Sequence, residues 1–377
     1  MKVLIVGAGL GGLCLAQGLR QQNIAVTVLE SDAGPAASKQ GYRLNINVTG
    51  AGALAACLPD PLLRLYRATS HRQLDPTVTM YTPSFEQISQ RLADVGDGPA
   101  APSAVDRATL RGILSVGLAD TIQYGRPVID VRSVADGGYV VCADGSTSEA
   151  DLVVAADGVR SVTRRALLRG AEPMDMGIAA IYGRTPLTPE IRAILPELVF
   201  TGRLTGLVDG AGLMLALGAW DPWDAGLSEA RPYLMWVVIG SPDLLRVADE
   251  DPAALHRRAC SLITDWDAGA RQAVQAAKVP DTFLVRIRCS PDIPEWTSGR
   301  ITFLGDAIHT MTPAGGEGAN TAMRDAADLA GKLGLVEAGS LGFQQAIEEY
   351  EAQLRIAGND AIFRSQHYGT PSTASQS

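Results

Sequence analysis

The first thirty residues carry the pattern that most restricts the fold of this chain. A short apolar run, KVLIV (2–6), predicts a strand buried on both faces, and LCLAQGLRQQ (13–22) predicts a helix. The glycines between them follow the spacing G-x-G-x-x-G, and a second predicted strand, AVTVLE, ends in Glu30. Together these elements form a dinucleotide-binding βαβ unit. The chain is therefore expected to be an α/β protein with a parallel sheet.

The glycine turn after the first strand is predicted to bind the phosphates of a dinucleotide. The predicted contacts in this unit are Gly7, Gly9, Leu10, Gly11, Gly12 and Glu30. Gly7 permits the tight turn, Gly9 lets the backbone approach a pyrophosphate, and Gly12 allows the helix to pack closely on the strand. The helix N-terminus favours the negative charge of such a ligand. Because an acid at Glu30 suits the ribose of either NAD or FAD, this unit alone does not identify the cofactor.

Composition and charge argue against several classes of protein. Hydrophobic residues make up 46% and charged residues 19% of the 377 residues, as expected of a compact enzyme and unlike a disordered chain. The net charge of −9 argues against general binding to nucleic acid or anionic membranes. No uninterrupted apolar run is long enough to span a bilayer. Five scattered cysteines without a C-x-x-C pair argue against a metal site or a disulfide framework, and the expected location is the reducing cytoplasm.

The character of the sequence changes between residues 174 and 288. Strand-like runs such as GLMLALGAW (212–220) and YLMWVVIG (233–240) alternate with proline-rich turns, which predicts a separate sheet. The tryptophans of this stretch are Trp220, Trp223, Trp236 and Trp266. One face of the sheet is expected to wall a pocket for an apolar ligand, and the alternative is that these tryptophans simply belong to the core.

A second glycine-rich loop lies near the end of the chain. GRITFLGDAIH (299–309) predicts a buried strand that ends at Gly305 and Asp306. The loop continues to Asn320, where the predicted helix NTAMRDAADLAGKLGLV begins. A final amphipathic helix is expected to pack on the outside, followed by a loose polar tail, YGTPSTASQS (368–377).

Three segments in this order resemble one enzyme family. They are GAGLGG (7–12), AADGVRSVTRR (155–165) and FLGDAIHTMTPAGGEGAN (303–320). Together they resemble the class A FAD-dependent monooxygenases, which include 4-hydroxybenzoate hydroxylase and the tetracycline-inactivating monooxygenases. The resemblance runs from Val3 to about Leu333. It implies a Rossmann-type FAD-binding domain, an inserted mixed β-sheet substrate domain and C-terminal helices.

The same resemblance implies domain boundaries and contact residues. The expected segments are 1–70, 98–173 and 289–340 for the FAD-binding domain, 71–97 and 174–288 for the substrate domain, and 341–377 for the C-terminal helix and tail. The implied cofactor contacts beyond the first unit are Arg43, Arg107, Asp157, Gly158, Arg160, Arg164, Gly305, Asp306, Pro313, Gly316, Gly318, Ala319 and Asn320. Asp306 resembles the acid that binds the ribityl chain, and Arg43 or Arg160 is expected to contact the phosphate of NADPH. Pro313 and His309 are the catalytic candidates, although a structural role is the more common one for a histidine at position 309.

One residue departs from the family pattern. The family usually has Gln where this chain has Glu317. An extra carboxylate close to the flavin would disfavour its anionic reduced form unless that carboxylate is turned away or paired. We expect Glu317 to face solvent.

The resemblance implies a monooxygenase reaction. NADPH or NADH would reduce FAD, O2 would add to the flavin, and the resulting hydroperoxide would transfer one oxygen atom to an aromatic or polycyclic, polyketide-like molecule. The apolar stretch between Gly206 and Leu217, with few charges, favours a large hydrophobic substrate over a small benzoate. The alternatives are a scaffold or non-redox cyclase that uses FAD structurally, an epoxidase, and a hydride-transfer oxidoreductase. The sequence does not indicate the oligomeric state.

Overall fold

The computed structural model describes residues 1–35, 41–71, 75–92, 101–134, 136–297 and 299–367. The strands are β1 (Lys2–Val6), β2 (Ala25–Leu29), β3 (Arg43–Ile46), β4 (Asp75–Tyr81), β5 (Gln87–Leu92), β6 (Ser103–Asp106), β7 (Ile122–Gln123), β8 (Val128–Val134), β9 (Gly137–Cys142), β10 (Thr147–Ala150), β11 (Leu152–Ala155), β12 (Met174–Pro186), β13 (Gly202–Val208), β14 (Met214–Trp220), β15 (Tyr233–Gly240), β16 (Phe283–Cys289) and β17 (Ile301–Phe303). The helices are α1 (Leu10–Gln21), α2 (Val48–Cys57), α3 (Asp60–Thr69), α4 (Arg107–Ser115), α5 (Val162–Leu167), α6 (Pro189–Ala193), α7 (Leu198–Thr201), α8 (Pro252–Leu262), α9 (Ala268–Gln275), α10 (Glu317–Glu337) and α11 (Phe343–Gln366).

A parallel five-stranded sheet positions all three sequence motifs. Its strand order is β17-β11-β1-β2-β7, and every residue of β11 and β17 is buried, as their continuous apolar sequences predict. Val3 pairs with Leu152, and Val153 pairs with Ile301, so β1, β11 and β17 lie side by side. Because parallel strands end at the same edge, the loops that follow these three strands meet there. The Rossmann-type fold is confirmed.

A seven-stranded mixed sheet forms the second layer of the molecule. Its strand order is β16-β12-β15-β14-β13-β4-β5. One face packs on α8 and α9, with Leu255 and Ala270 in its core. The opposite face carries Ala216, Tyr233 and Met235 and contacts Tyr42, which directly precedes β3. Both segments predicted for the substrate domain supply strands to this sheet, while the proposed boundary at residue 98 and the polar tail lie outside the described residues.

Three of the four tryptophans between residues 174 and 288 are core residues. Trp220 and Trp236 have no exposed surface, and Trp266 is also buried. Trp220 donates from Nε1 to the carbonyl of Thr69 at 3.1 Å, and Trp223 is exposed in the turn after β14. Three of them therefore fill space inside the protein, as in the core alternative, while the pocket expected along one face of the sheet stays a prediction.

The long C-terminal helix α11 is half embedded in the core. Ile347, Tyr350 and Leu354 are buried, and the Tyr350 hydroxyl donates to the carbonyl of Phe303 at 2.7 Å. This one-sided burial agrees with the amphipathic outer helix that was expected, because its apolar stripe covers the core behind the parallel sheet while Ile356 and Phe363 are exposed. Among the described helices, none is long and apolar enough to cross a bilayer.

Candidate cofactor-binding site

The loop after β1, here called the front loop, is shaped by backbone contacts. Gly7 has φ of +108°, and a Cβ at this position would lie 2.4 Å from the carbonyl oxygen of Ala156. A Cβ at Gly12 would lie 2.2 Å from the carbonyl oxygen of Gly7. A Cβ at Gly9, in contrast, meets no described heavy atom within 4 Å. No described side chain caps α1, so its first N–H groups face this open space at Gly9.

The acid at the end of β2 lies directly beside the front loop. Oε2 of Glu30 accepts a hydrogen bond from the Ala8 N–H at 2.7 Å, and Oε1 accepts one from the Asp32 N–H at 2.8 Å. Arg111 completes this corner, because its Nε donates to the Ala8 carbonyl at 3.0 Å and its Nη2 lies 3.8 Å from Oε2 of Glu30. Arg111 is not among the predicted contacts. The four-residue spacing from Arg107, which places both side chains on one face of α4, is the sequence feature that indicates it.

The loop after β11 is stabilised by hydrogen bonds from residues of its own motif. Oδ2 of Asp157 accepts from the Val162 N–H at 2.8 Å, and burial raises the pKa of this carboxyl group. Arg164 has no exposed surface, and it donates to the carbonyls of Val159 and Ala307, each at 2.7 Å. Arg164 therefore ties the loop after β11 to the loop after β17. This geometry does not support direct contact of Arg164 with a cofactor, whereas Arg160 is exposed.

The acid of the Gly-Asp pair faces a cleft. Asp306 follows Gly305, whose φ of +63° makes the turn after β17. The Asp306 side chain is exposed, yet burial raises its pKa, while the charges of His309, Arg107 and Arg164 act in the opposite direction. Oδ1 of Asp306 lies 3.8 Å from the position that a Cβ at Gly318 would take, so the exposed carboxylate faces the first turn of α10; the space between them is here called the cleft. Asp306 and Arg107 shift each other's pKa through their charges, as expected of residues that contact one ligand.

His309 lies behind the cleft in a buried ion pair. Its Nε2 is 2.5 Å from Oδ2 of Asp325, and neither side chain is exposed beyond 1%. Burial alone would lower the pKa of His309, but Asp325 raises it above its ordinary value. The pKa of Asp325 is held low by His309 and Arg324, although burial opposes this. The catalytic role predicted for His309 is not supported, because an imidazole without accessible surface cannot reach a substrate.

The loop before α10, here called the back loop, contains two left-handed glycines. Gly315 and Gly316 have φ of +78° and +70°, and α10 begins at Glu317 without a described side-chain cap. Asn320 fixes this loop: Nδ2 donates to the Gly316 carbonyl at 2.7 Å and to the Asn45 carbonyl at 2.9 Å. Its Oδ1 accepts from the Asn47 N–H at 3.0 Å. The first N–H groups of α10 therefore remain available to a ligand.

The remaining predicted residues of the back loop lie around this helix start. Pro313 is exposed before the two glycines, and Gly318 and Ala319 are half-buried in the first turn of α10. Glu317 was expected to face solvent, but it does not. Its side chain is 16% exposed, and Oε2 lies 3.5 Å from Nη2 of Arg364 on α11. The carboxylate is paired, which was one of the two conditions under which it would not oppose an anionic ligand.

Two arginines meet where the back loop approaches the large sheet. Arg43 donates from Nη1 to the Arg203 carbonyl at 2.8 Å and is 6% exposed. Burial, together with the charge of Arg203, lowers the pKa of Arg43 to about 10. Arg203 donates from Nη2 to the Gly315 carbonyl at 3.4 Å. The structure therefore turns Arg43 toward the large sheet, and Arg160 is the accessible one of the two arginines predicted to contact NADPH.

The described residues fit an elongated dinucleotide better than a small anion. The first turns of α1 and α10 are neighbours, since a Cβ at Gly11 in α1 would lie 3.2 Å from Cβ of Ala322 in α10, and 2.4 Å from Cδ2 of Leu304 at the end of β17. Two helix N-termini without described caps thus open on one edge of the sheet, with Glu30 at one end and Asp306 at the other. This arrangement offers separate sites for a ribose, a pyrophosphate and a second polar chain, which matches FAD.

Comparisons with known proteins agree with this geometry. A family model described as an FAD binding domain matches residues 134–365, and one described as an NAD(P)-binding Rossmann-like domain matches residues 5–66. The crystal structure of a Photorhabdus luminescens protein, provisionally named an FAD-containing monooxygenase, is 32% identical with a TM-score of 0.84 and 98% coverage of each chain. A single-residue variant of Klebsiella pneumoniae HpxO complexed with FAD is 26% identical, with a TM-score of 0.79, over 98% of this chain and 89% of that one.

A curated relative is longer than this chain. The dual O-methyltransferase/FAD-dependent monooxygenase elcB of Phaeosphaeria nodorum is 31% identical over 370 residues. The match covers 87% of this chain but 40% of the relative. The chain thus spans less than half the length of this relative, and the similarity concerns only the matched part.

Proposed function

This chain belongs to the FAD-binding-domain family of flavoprotein monooxygenases, and from that premise we propose that it inserts one atom of O2 into an aromatic or polycyclic small molecule at the expense of NADPH or NADH. The observation that carries the proposal is the meeting of three motif loops at the carboxyl edge of one parallel sheet. FAD supplies the electron transfer and oxygen chemistry that amino-acid side chains do not.

The protein's own residues bind and orient the cofactor in this proposal. The N-terminus of α1, open at Gly9, would hold the pyrophosphate, and Glu30 would accept hydrogen bonds from the adenosine ribose. Asp306 would accept hydrogen bonds from the ribityl hydroxyls. The N-terminus of α10 would lie near the redox end, where its N–H groups and positive potential would favour a negatively charged reduced ring.

The large sheet excludes water from the reacting side and determines the substrate class. Leu204, Met214 and Ile239 are half-buried on the face that also carries Val237, and methionine side chains adapt to irregular apolar ligands. Arg203 brings a positive charge to the edge of this face next to the back loop. We infer a flat, largely apolar, polyketide-like substrate with an acidic oxygen near one end. A dry apolar wall also protects reactive intermediates from hydrolysis.

The test combines spectroscopy with isotope labelling. The purified protein is expected to be yellow, and its visible absorption is expected to bleach with NADPH or NADH without oxygen, faster when a polycyclic phenol is present than with a small benzoate. Under 18O2, the product mass should increase by one labelled oxygen atom per turnover. Turnover without label in the product would indicate a hydride-transfer oxidoreductase, and a yellow protein that neither nucleotide bleaches with any ligand would favour the non-redox scaffold. Product structure separates hydroxylation from epoxidation.

A further inference from the structure

The last turn of α11 contacts the back loop at two points. The Thr312 hydroxyl donates to the carbonyl of Ser365 at 2.7 Å, before the two left-handed glycines. After them, Glu317 pairs with Arg364 at 3.5 Å. Thr312 and Glu317 lie on either side of the segment 313–316, so the end of α11 holds both ends of the back loop. These contacts link residues about 50 positions apart in sequence, and the sequence pattern alone contains no local signal for them.

The Glu317–Arg364 pair affects the electrostatic potential at the N-terminus of α10 more than it affects the stability of the fold. Arg364 is 50% exposed, and ion pairs of this kind contribute only about 0–1 kcal/mol to folding. Glu317 is the first residue of α10, however, and a carboxylate there cancels part of the positive potential of the helix N-terminus. Arg364 supplies the opposite charge at the same place. The pair as a whole carries no net charge, so the positive potential at the N-terminus of α10 still acts on a ligand.

We propose that Arg364 is a positioning residue that neutralises Glu317 and thereby allows the N-terminus of α10 to stabilise the anionic, reduced flavin. The proposal rests on the proposed function only in requiring that FAD bind with its ring near the back loop. Arg364 does not contact the reacting atoms in this role. Its effect on the flavin passes through the charge of Glu317, so the two residues must be tested together.

The experiment measures the reduction of bound FAD against a reference dye at low ionic strength. The holoprotein variants are Arg364→Gln, Glu317→Gln, the double variant and the charge-conserving Arg364→Lys. Arg364→Gln leaves a lone carboxylate, so the ratio of reduced to oxidised flavin at a fixed dye potential should fall by roughly twofold to fivefold. Glu317→Gln should raise that ratio, while the double variant and Arg364→Lys should stay close to the original protein.

The matched control is Arg286→Gln, which breaks an Arg–Glu pair with Glu250 at 2.5 Å on the large sheet and should leave the ratio unchanged. Opposite signs for Arg364→Gln and Glu317→Gln would support the proposal. Equal shifts of the same sign would overturn it, because they would mean that the contact acts through loop geometry and not through charge. No shift in Arg364→Gln would also overturn it. A colourless original protein would instead contradict the proposed function, so the two failures are distinguishable.

Discussion

The front and back glycine loops meet at one edge of the parallel sheet, but they are fixed in different ways. In the front loop, an added Cβ at Gly7 or Gly12 would collide with backbone carbonyl oxygens that cannot move aside. In the back loop, side-chain contacts hold the backbone in place. Asn320 bridges three backbone groups, while Ser365 and Arg364 of α11 contact Thr312 and Glu317. Backbone contacts exclude larger residues at Gly7 and Gly12, whereas side-chain contacts such as those of Asn320 can be changed one residue at a time. We therefore expect binding to be determined at the front loop and redox behaviour at the back loop.

The largest expected effect separates two front-loop glycines. Gly12→Ala places a Cβ 2.2 Å from the Gly7 carbonyl, and overpacking of this kind costs about 1–3 kcal/mol. This variant should lose several degrees in thermal midpoint and release FAD. Gly9→Ala meets open space, so its midpoint without FAD should be unchanged while FAD affinity falls by about tenfold, or 1.4 kcal/mol. Thermal unfolding and FAD titration measure both quantities. Equal destabilisation of the two apoproteins would contradict the distinction.

Replacing Asn320 tests whether side chains hold the back loop. Asn320→Ala removes three hydrogen bonds from a buried position and should cost about 1–3 kcal/mol in the free energy of unfolding. It should also slow the reduction of FAD by NADPH, because the N-terminus of α10 is no longer fixed. Asn359→Ala is the matched control, since Asn359 accepts a backbone N–H of Ile293 and makes no described hydrogen bond to the back loop. If both variants slow reduction equally, Asn320 has no special role at the loop.

The buried His309–Asp325 pair is expected to make the free energy of unfolding depend on pH. The pKa of His309 is raised in the folded protein, so its contribution to stability is present below about pH 6.5 and is lost as pH rises through the folded pKa. The pKa of Asp325 is lowered, so its contribution is lost as pH falls through the folded value.

Urea unfolding of the original holoprotein and of His309→Gln from pH 5 to pH 10 measures this effect. The difference in free energy between them should shrink with rising pH, by about 1.4 kcal/mol for each unit that separates the folded and unfolded pKa of His309. A difference that grows with pH would contradict a protonated, paired His309.

The two loops also differ in how much of them the sequence could predict. The front loop was predictable as a unit because its signals are local: an apolar run, the glycine spacing and Glu30 all lie within thirty residues. The position of the back loop was predictable for the same reason. Its supports were not, because Asn320 binds Asn47 and Glu317 binds Arg364, and these contacts depend on how distant segments pack. The burial of Trp236 was equally hidden, since a strand sequence does not tell which face meets helices.

The hydroxyl group of Thr312 is expected to affect only the back loop, and only slightly. Thr312→Val keeps the side-chain shape but removes the hydrogen bond to the Ser365 carbonyl, at an expected cost of about 0.5–1.5 kcal/mol. FAD affinity should not change, because the front loop is untouched, while reduction of FAD should slow slightly. Thr302→Val, on the adjacent buried strand β17, is the control for the loss of a buried hydroxyl. A weaker FAD affinity in Thr312→Val, but not in Thr302→Val, would show that a change confined to the back loop also alters FAD binding. Binding and redox behaviour would then not be separated between the two loops.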